Sequence, residues 1–129
     1  MVLKMFLTGG SGTLGAELIK IFNDNGVDYV SPTSQVCDIR DYDSVDKNIK
    51  MSNATTVIHS AAATNVKAIE DDPTTAYDVN VLGTINIIKA CRKYNVKLIF
   101  ISTDYVFDGS VGDYGPNDLI NPLSKYAKT

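Results

Sequence analysis

Eight residues near the N-terminus, Thr8-Gly9-Gly10-Ser11-Gly12-Thr13-Leu14-Gly15, have the types and the spacing to hold a pyrophosphate. The pattern is Gly-x-x-Gly-x-x-Gly, one residue longer at its start than the Gly-x-Gly-x-x-Gly form. A glycine-rich turn that opens onto a helix points unpaired N–H groups, and the positive end of the helix dipole, at whatever anion sits on it. In such a turn Gly9 allows the tight bend, Gly12 lets the pyrophosphate approach the backbone, and Gly15 lets the helix pack on the strand. Ser11, Thr13 and Leu14 lie between these glycines and share the candidate binding turn. The segment implies dinucleotide binding.

Other chemistry-bearing residues are fewer. After the second apolar segment, where an acid would hold the ribose 2′-hydroxyl of NAD, the chain has Ser31-Pro32-Thr33-Ser34. Hydroxyls there can hydrogen-bond a 2′-phosphate without repelling it, but no Arg or Lys accompanies them. The expected cofactor is NADP or NAD, with NADP placed first. His59, the only histidine, sits at the end of an apolar segment without ligand partners and reads as a packed, hydrogen-bonded residue. Glu70-Asp71-Asp72 precede Pro73 and a helix start, where negative charge complements the dipole, so no metal site is expected. Cys37 and Cys91 have neither metal spacing nor a nearby histidine, which suits reduced thiols in a cytoplasmic protein.

The elements that must position these groups follow from periodicity. Residues 2–7 read as a first strand and 12–23 as a helix ending at Asn25-Gly26. Residues 27–30 form a short second strand stopped by Ser31-Pro32. Residues 41–49 form a short helix with Asp41 as its cap, and 56–59 a third strand. A long helical stretch opens at Asp72-Pro73, with apolar residues at Ala76, Val79, Val81, Leu82, Ile85, Ile88 and Cys91. Residues 97–102 hold the run Leu98-Ile99-Phe100-Ile101, expected of a parallel strand buried on both faces. Beyond Thr103 the pattern is loop-like, and residues 122–129 read as the first turn of a helix. Alternating strands and helices imply an α/β, Rossmann-type doubly wound parallel sheet of about four strands, in the order 3-2-1-4. Its ligand site is expected at the strand carboxyl ends, near the switch between strands one and four.

Composition narrows the class. The 129 residues suit one domain, 1–129, and 44% apolar with 21% charged residues is ordinary for a globular chain. A net charge of -3 offers no electrostatic footprint for nucleic acid or an anionic membrane. No apolar run reaches the roughly 18 residues of a membrane span, and no signal peptide is expected.

Four motifs together carry a family resemblance: the glycine turn, Ala61-Ala62-Ala63, Val79-Asn80-Val81-Leu82-Gly83-Thr84, and Ile101-Ser102-Thr103-Asp104-Tyr105-Val106-Phe107-Asp108-Gly109. The chain resembles the extended short-chain dehydrogenase/reductases. The last string, with Asn121-Pro122-Leu123-Ser124-Lys125-Tyr126, is most similar to their dTDP-4-dehydrorhamnose reductase branch. The resemblance implies NAD(P)-dependent reduction of a nucleotide-linked 4-keto sugar, with Thr103 orienting the carbonyl and Tyr126 as proton donor. It also implies that Asp38 and Ile39 lie beside the adenine, and that Ala61, Ala62, Ala63, Asn80 and Ser102 contribute to the cofactor site. Thr64, Val66, Asp104 and Tyr105 would face the substrate. Lys67 stands where that branch often has an acid.

The family's Tyr-x-x-x-Lys pattern requires a lysine four positions after the tyrosine, and Tyr126-Ala127-Lys128-Thr129 stops one residue short. On a helix, at roughly 100° per residue, Lys128 points about 160° away from Tyr126. The expectation is therefore a truncated product, a fragment or half of a split protein, lacking the sugar-holding C-terminal part and inactive alone. It would self-associate or take a completing polypeptide, since an unpaired edge at strand four invites pairing. Two readings stay open beside the reductase. One is a sugar-nucleotide epimerase or dehydratase. The other is a non-catalytic, dinucleotide-binding regulatory subunit or structural remnant.

Overall fold

The computed structural model describes residues 3–129; Val2, expected in the first strand, lies outside them. In chain order the elements are β1 (Lys4–Thr8), α1 (Thr13–Asp24), β2 (Asp28–Val30), α2 (Tyr42–Ser52), β3 (Thr56–His59), α3 (Val66–Asp71), α4 (Thr74–Ala76), a π-helical turn (Tyr77–Leu82), α5 (Gly83–Tyr94), β4 (Lys97–Phe100), a 3-10 turn (Asp104–Val106) and α6 (Lys125–Lys128).

Alternation along β1 and β3 builds two cores, because successive strand residues face opposite sides of the sheet. Phe6 and Val57 face Val45 and Ile49 of α2 and Ile87, Ala90 and Cys91 of α5. Leu7 and Ile58 face Phe22 of α1 on the other side. The result is a parallel sheet with helices on both faces. Asp41 caps α2 by accepting from the Asp43 N–H at 3.0 Å.

All strand pairings are parallel, and the order is β2-β1-β3-β4. The winding keeps the sense of the expected 3-2-1-4 sheet, outward from β1 to one side and then back to the other. Residues 31–41, however, form turns rather than a strand outside β2, so Thr56–His59 pairs with β1 and β4. The reversal, and with it the crevice, therefore lies between β1 and β3 rather than between strands one and four.

One further expectation is corrected, and two further features were not anticipated. The run at 98–101 is not buried on both faces: Ile99, Phe100 and Ile101 are 38%, 54% and 40% exposed. β4 pairs only with β3 among the described residues and forms the sheet's edge. The stretch expected to open at Asp72-Pro73 does so, with Pro73 preceding Thr74, but a separate short helix, α3, comes before it, capped by Asn65, which accepts from the Ala68 N–H at 3.1 Å. The long stretch also changes phase. The π turn takes in an extra residue, so Gly83, Ile87, Ala90 and Cys91 are buried while Leu82, Ile85 and Ile88 are exposed.

Candidate functional site

The glycine turn folds as a tight cradle over the carboxyl end of β1. Gly9 adopts φ +75°, and a Cβ there would meet the Ala61 N at 2.7 Å, so both the conformation and the close approach of the β3 loop require glycine. Gly15 is buried against the Gly9–Gly10 turn itself, which is the surface it packs on, rather than the strand. The Gly12 N–H donates to the Gly9 carbonyl at 3.0 Å and closes the turn. No side chain caps α1 and its first turn carries no acid, which leaves that end of the helix suited to an anion.

A groove of about 910 Å³ runs from this turn across the strand ends. Gly9, Ser11, Gly12, Asp38, Ile39, Ala61 and Ala62 line it, together with Ser31, Thr33 and Ser34. Arg40 lines it too, which the sequence reading missed in finding no basic residue beside the hydroxyls. Its guanidinium holds Asp38 through bonds of 2.7 to 3.2 Å and keeps that carboxyl below the usual range. The Asn86 amide, also unanticipated, donates to the Ile39 and Arg40 carbonyls at 2.9 and 3.1 Å. A Cβ on Gly83 would meet Ile39 at 2.8 Å, so α5 presses directly on this turn. The Gly83 in the string 79–84 was the available signal.

A second, smaller cavity of about 220 Å³ is lined by Thr103, Tyr126, Ser102, Asn80, Ala61 and Ala62, with Phe100 and Ile101 on its apolar side. Ser60, Ala61 and Ala62 line both spaces, so groove and cavity meet at the end of β3. Asn80 brackets the adjoining loop. Its Oδ1 accepts from the Ala63 N–H at 2.7 Å, and its Nδ2 donates to the Ala63 carbonyl and to Thr129 Oγ1, each at 3.0 Å. Thr103 Oγ1 accepts from the Tyr105 N–H at 3.2 Å, so it also caps the 3-10 turn. Tyr105 meets Tyr126 edge-on at 5.5 Å. Lys128 is exposed on the same short helix as Tyr126, among the residues at the cavity's margin.

The remaining sequence candidates separate. Asp104 and Tyr105 line a neighbouring hollow of about 570 Å³ with Phe107, Asp108, Tyr114 and Leu123. Thr13, Leu14, Ala63, Thr64 and Val66 line none of the three spaces. His59 is 1% exposed, with Nδ1 2.7 Å from Thr8 Oγ1 and Nε2 3.0 Å from Thr84 Oγ1. Burial pushes its pKa down to about 4, so the ring is neutral and ties the ends of β1, β3 and α5 together. Burial likewise lifts both Cys37 and Cys91 to about 11, making them inert thiols at neutral pH. Among the described residues, no group of three His, Cys, Asp or Glu side chains could hold a metal, and no helix is long and apolar enough to cross a membrane.

Comparison with known proteins covers the whole described chain. The family model described as RmlD substrate binding domain matches residues 3–129. A dTDP-4-dehydrorhamnose reductase of Mycolicibacterium smegmatis is 37% identical over 100% of this chain and 39% of its own length. The beta subunit of methionine adenosyltransferase 2 from Bos taurus is 31% identical over 98% of this chain and 40% of its own. The crystal structure of dTDP-4-dehydrorhamnose reductase from Bacillus anthracis in complex with NADP superposes with a TM-score of 0.89 at 28% identity, covering 99% of this chain and 46% of that one. The chain thus spans less than half the length of each of these relatives.

Proposed function

Because the chain belongs to the RmlD substrate binding domain family, we infer that it is the cofactor-holding part of an NAD(P)-dependent reductase for a nucleotide-linked 4-keto sugar of the dTDP-4-dehydrorhamnose type. One observation carries this reading. Ser60, Ala61 and Ala62 join the glycine-lined groove to the cavity holding Thr103 and Tyr126. A dinucleotide with its pyrophosphate on the glycine turn has its other end directed along those small residues toward a hydroxyl and a phenol.

The residues present fit such a cofactor. Gly9 keeps the turn open where any Cβ would strike the β3 loop, and the uncapped start of α1 suits the pyrophosphate. Asp38 and Ile39 form the adenine end, while Thr33, Ser34 and Arg40 supply donors for a 2′-phosphate and Ser31, whose hydroxyl donates to the Leu7 carbonyl at 3.1 Å, holds the turn beside them. This donor set favours NADP over NAD, in keeping with the NADP held by the Bacillus anthracis relative. When bound, the nicotinamide supplies hydride to the carbonyl carbon. Thr103 orients the carbonyl by hydrogen-bonding its oxygen, and Tyr126 gives that oxygen its phenolic proton, leaving an alcohol and a tyrosinate. Phe100 and Ile101 give that end an apolar wall.

The test is titration of NADPH and NADH into the purified chain, with Gly12→Glu as control. Saturable binding that the control abolishes is expected, and binding unaffected by Gly12→Glu rules the groove out. A second reading, a dinucleotide-binding regulatory subunit, is favoured by the similarity to the methionine adenosyltransferase 2 beta subunit. Under it Tyr126→Phe leaves function intact; under the reductase reading that variant abolishes turnover of a dTDP-4-keto sugar by the completed enzyme.

A further inference from the structure

The string 104–109 ends in Asp108, a residue with no part in the reaction as described and with more side-chain hydrogen bonds than its exposed loop requires. One carboxylate oxygen accepts from the Tyr114 hydroxyl at 2.7 Å and the Ser110 N–H at 2.9 Å. The other accepts from the Asn121 amide at 2.9 Å. Beside it, Phe107 and Tyr114 stack at 4.5 Å with 5° between their planes, and the Asn121 N–H donates to the Val106 carbonyl at 2.8 Å. These contacts tie the start, middle and end of one loop to a single side chain. Three donors hold the carboxyl well below the usual carboxylate range.

What this closure sets is the start of α6. Asn121 stands five positions before Tyr126, and Pro122, with its φ locked, removes much of the slack between them. Ser124 then caps α6 by accepting from the Ala127 N–H at 3.0 Å. On the near side, Thr103 and Tyr105 sit just before the closure, and Tyr105 meets Tyr126 edge-on. The two ends of the loop are therefore the two halves of the cavity, Thr103 on one and Tyr126 on the other. We propose that Asp108 is a positioning residue, which ties Ser110, Tyr114 and Asn121 so that the loop delivers Tyr126 to the cavity it shares with Thr103. The proposal rests on the reading of Tyr126 as proton donor for its functional meaning, but not for its test.

The test reads the placement of Tyr126 directly in the 129-residue chain, by the Tyr105–Tyr126 ring contact in nuclear Overhauser spectra and by hydrogen exchange of amides 125–129. Asp108→Ala should abolish the ring contact and the protection of those amides, while β1 and β3 amides stay protected. Asn121→Asp should do the same, because it sets two carboxylates face to face. Combining Asp108→Asn with Asn121→Asp restores one carboxylate and one amide in exchanged places, and should recover both signals. Structural loosening by two independent lesions would not be undone by their combination. Retention of the ring contact in Asp108→Ala overturns the proposal. So does a combined variant as loose as Asn121→Asp, or an Asp108→Ala chain whose sheet amides also lose protection, since Asp108 would then act on the whole fold. None of these readouts involves turnover or cofactor, so failure of the Tyr126 chemistry shows separately, in Tyr126→Phe.

Discussion

Lowering the pH from 7 to 4.5 should destabilise this chain through one buried ring. His59 is 1% exposed, and its two nitrogens are occupied by Thr8 and Thr84. Thr8 Oγ1 accepts from the Ala61 N–H at 3.2 Å, leaving its own proton for Nδ1, while the Nε2 proton goes to Thr84. That neutral arrangement satisfies every polar atom. Burial lowers the folded-state pKa from 6.5 to about 4, so between those values the unfolded chain binds a proton that the folded chain refuses. Stability is then complete above pH 6.5 and falls as pH drops toward 4. At 1.36 kcal/mol per pKa unit the total is roughly 3 kcal/mol, a large share of the 5–15 kcal/mol typical of a domain. His59 is the only histidine, and Asp38, Asp46, Asp72 and Asp108 have pKa values held below 3.8, so their losses come at lower pH. Urea denaturation followed by circular dichroism at pH 7, 5.5 and 4.5 measures the loss. His59→Gln, which cannot titrate, should be less stable at pH 7 but flat across this window. Wild-type stability that stays flat from pH 6.5 to 4.5, or an equal decline in His59→Gln, refutes the reasoning.

Gly9→Ala combines a left-handed φ with a clash on the Ala61 backbone. The conformation alone costs roughly 1–2 kcal/mol, so a lower urea midpoint and lost NADPH binding are expected together. Arg40→Ala should weaken NADPH by about tenfold, the weight of one charge-assisted hydrogen bond, and NADH much less; isothermal titration of both cofactors decides this. Glu70 accepts from the Lys125 N–H at 2.6 Å and its carbonyl from Lys125 Nζ at 2.5 Å, docking α6 on α3. Glu70→Ala should speed hydrogen exchange at residues 125–129 while changing global stability by less than about 0.5 kcal/mol.

Local pattern carried the ingredients of this molecule. The apolar run before Thr8, the glycines after it and the amphipathic helix that follows are properties of a dozen neighbouring residues, and they sufficed to mark a strand, a tight glycine turn and the helix it opens. Asp41 as a cap, Thr56–His59 as a strand and His59 as a packed ring were legible for the same reason. What escaped depends on how distant segments converge. Arg40 shares a groove with Ser31–Ser34 only because residues 31–41 turn back on themselves, held by Asn86 from a helix more than forty positions away. The exposure of Ile99 and Phe100 follows from the place of β4 in the sheet, which their hydrophobicity does not encode. The buried face of α5 does not follow from its apolar spacing, because one π turn shifts the phase of every residue after it. Sequence by itself determined the four strands, most of the helices and the glycine turn, since those depend on period and turn chemistry. Tertiary structure alone decided which ends meet, and so joined the groove to the cavity at Ala61 and Ala62, because that junction is made by packing between strands far apart in the chain.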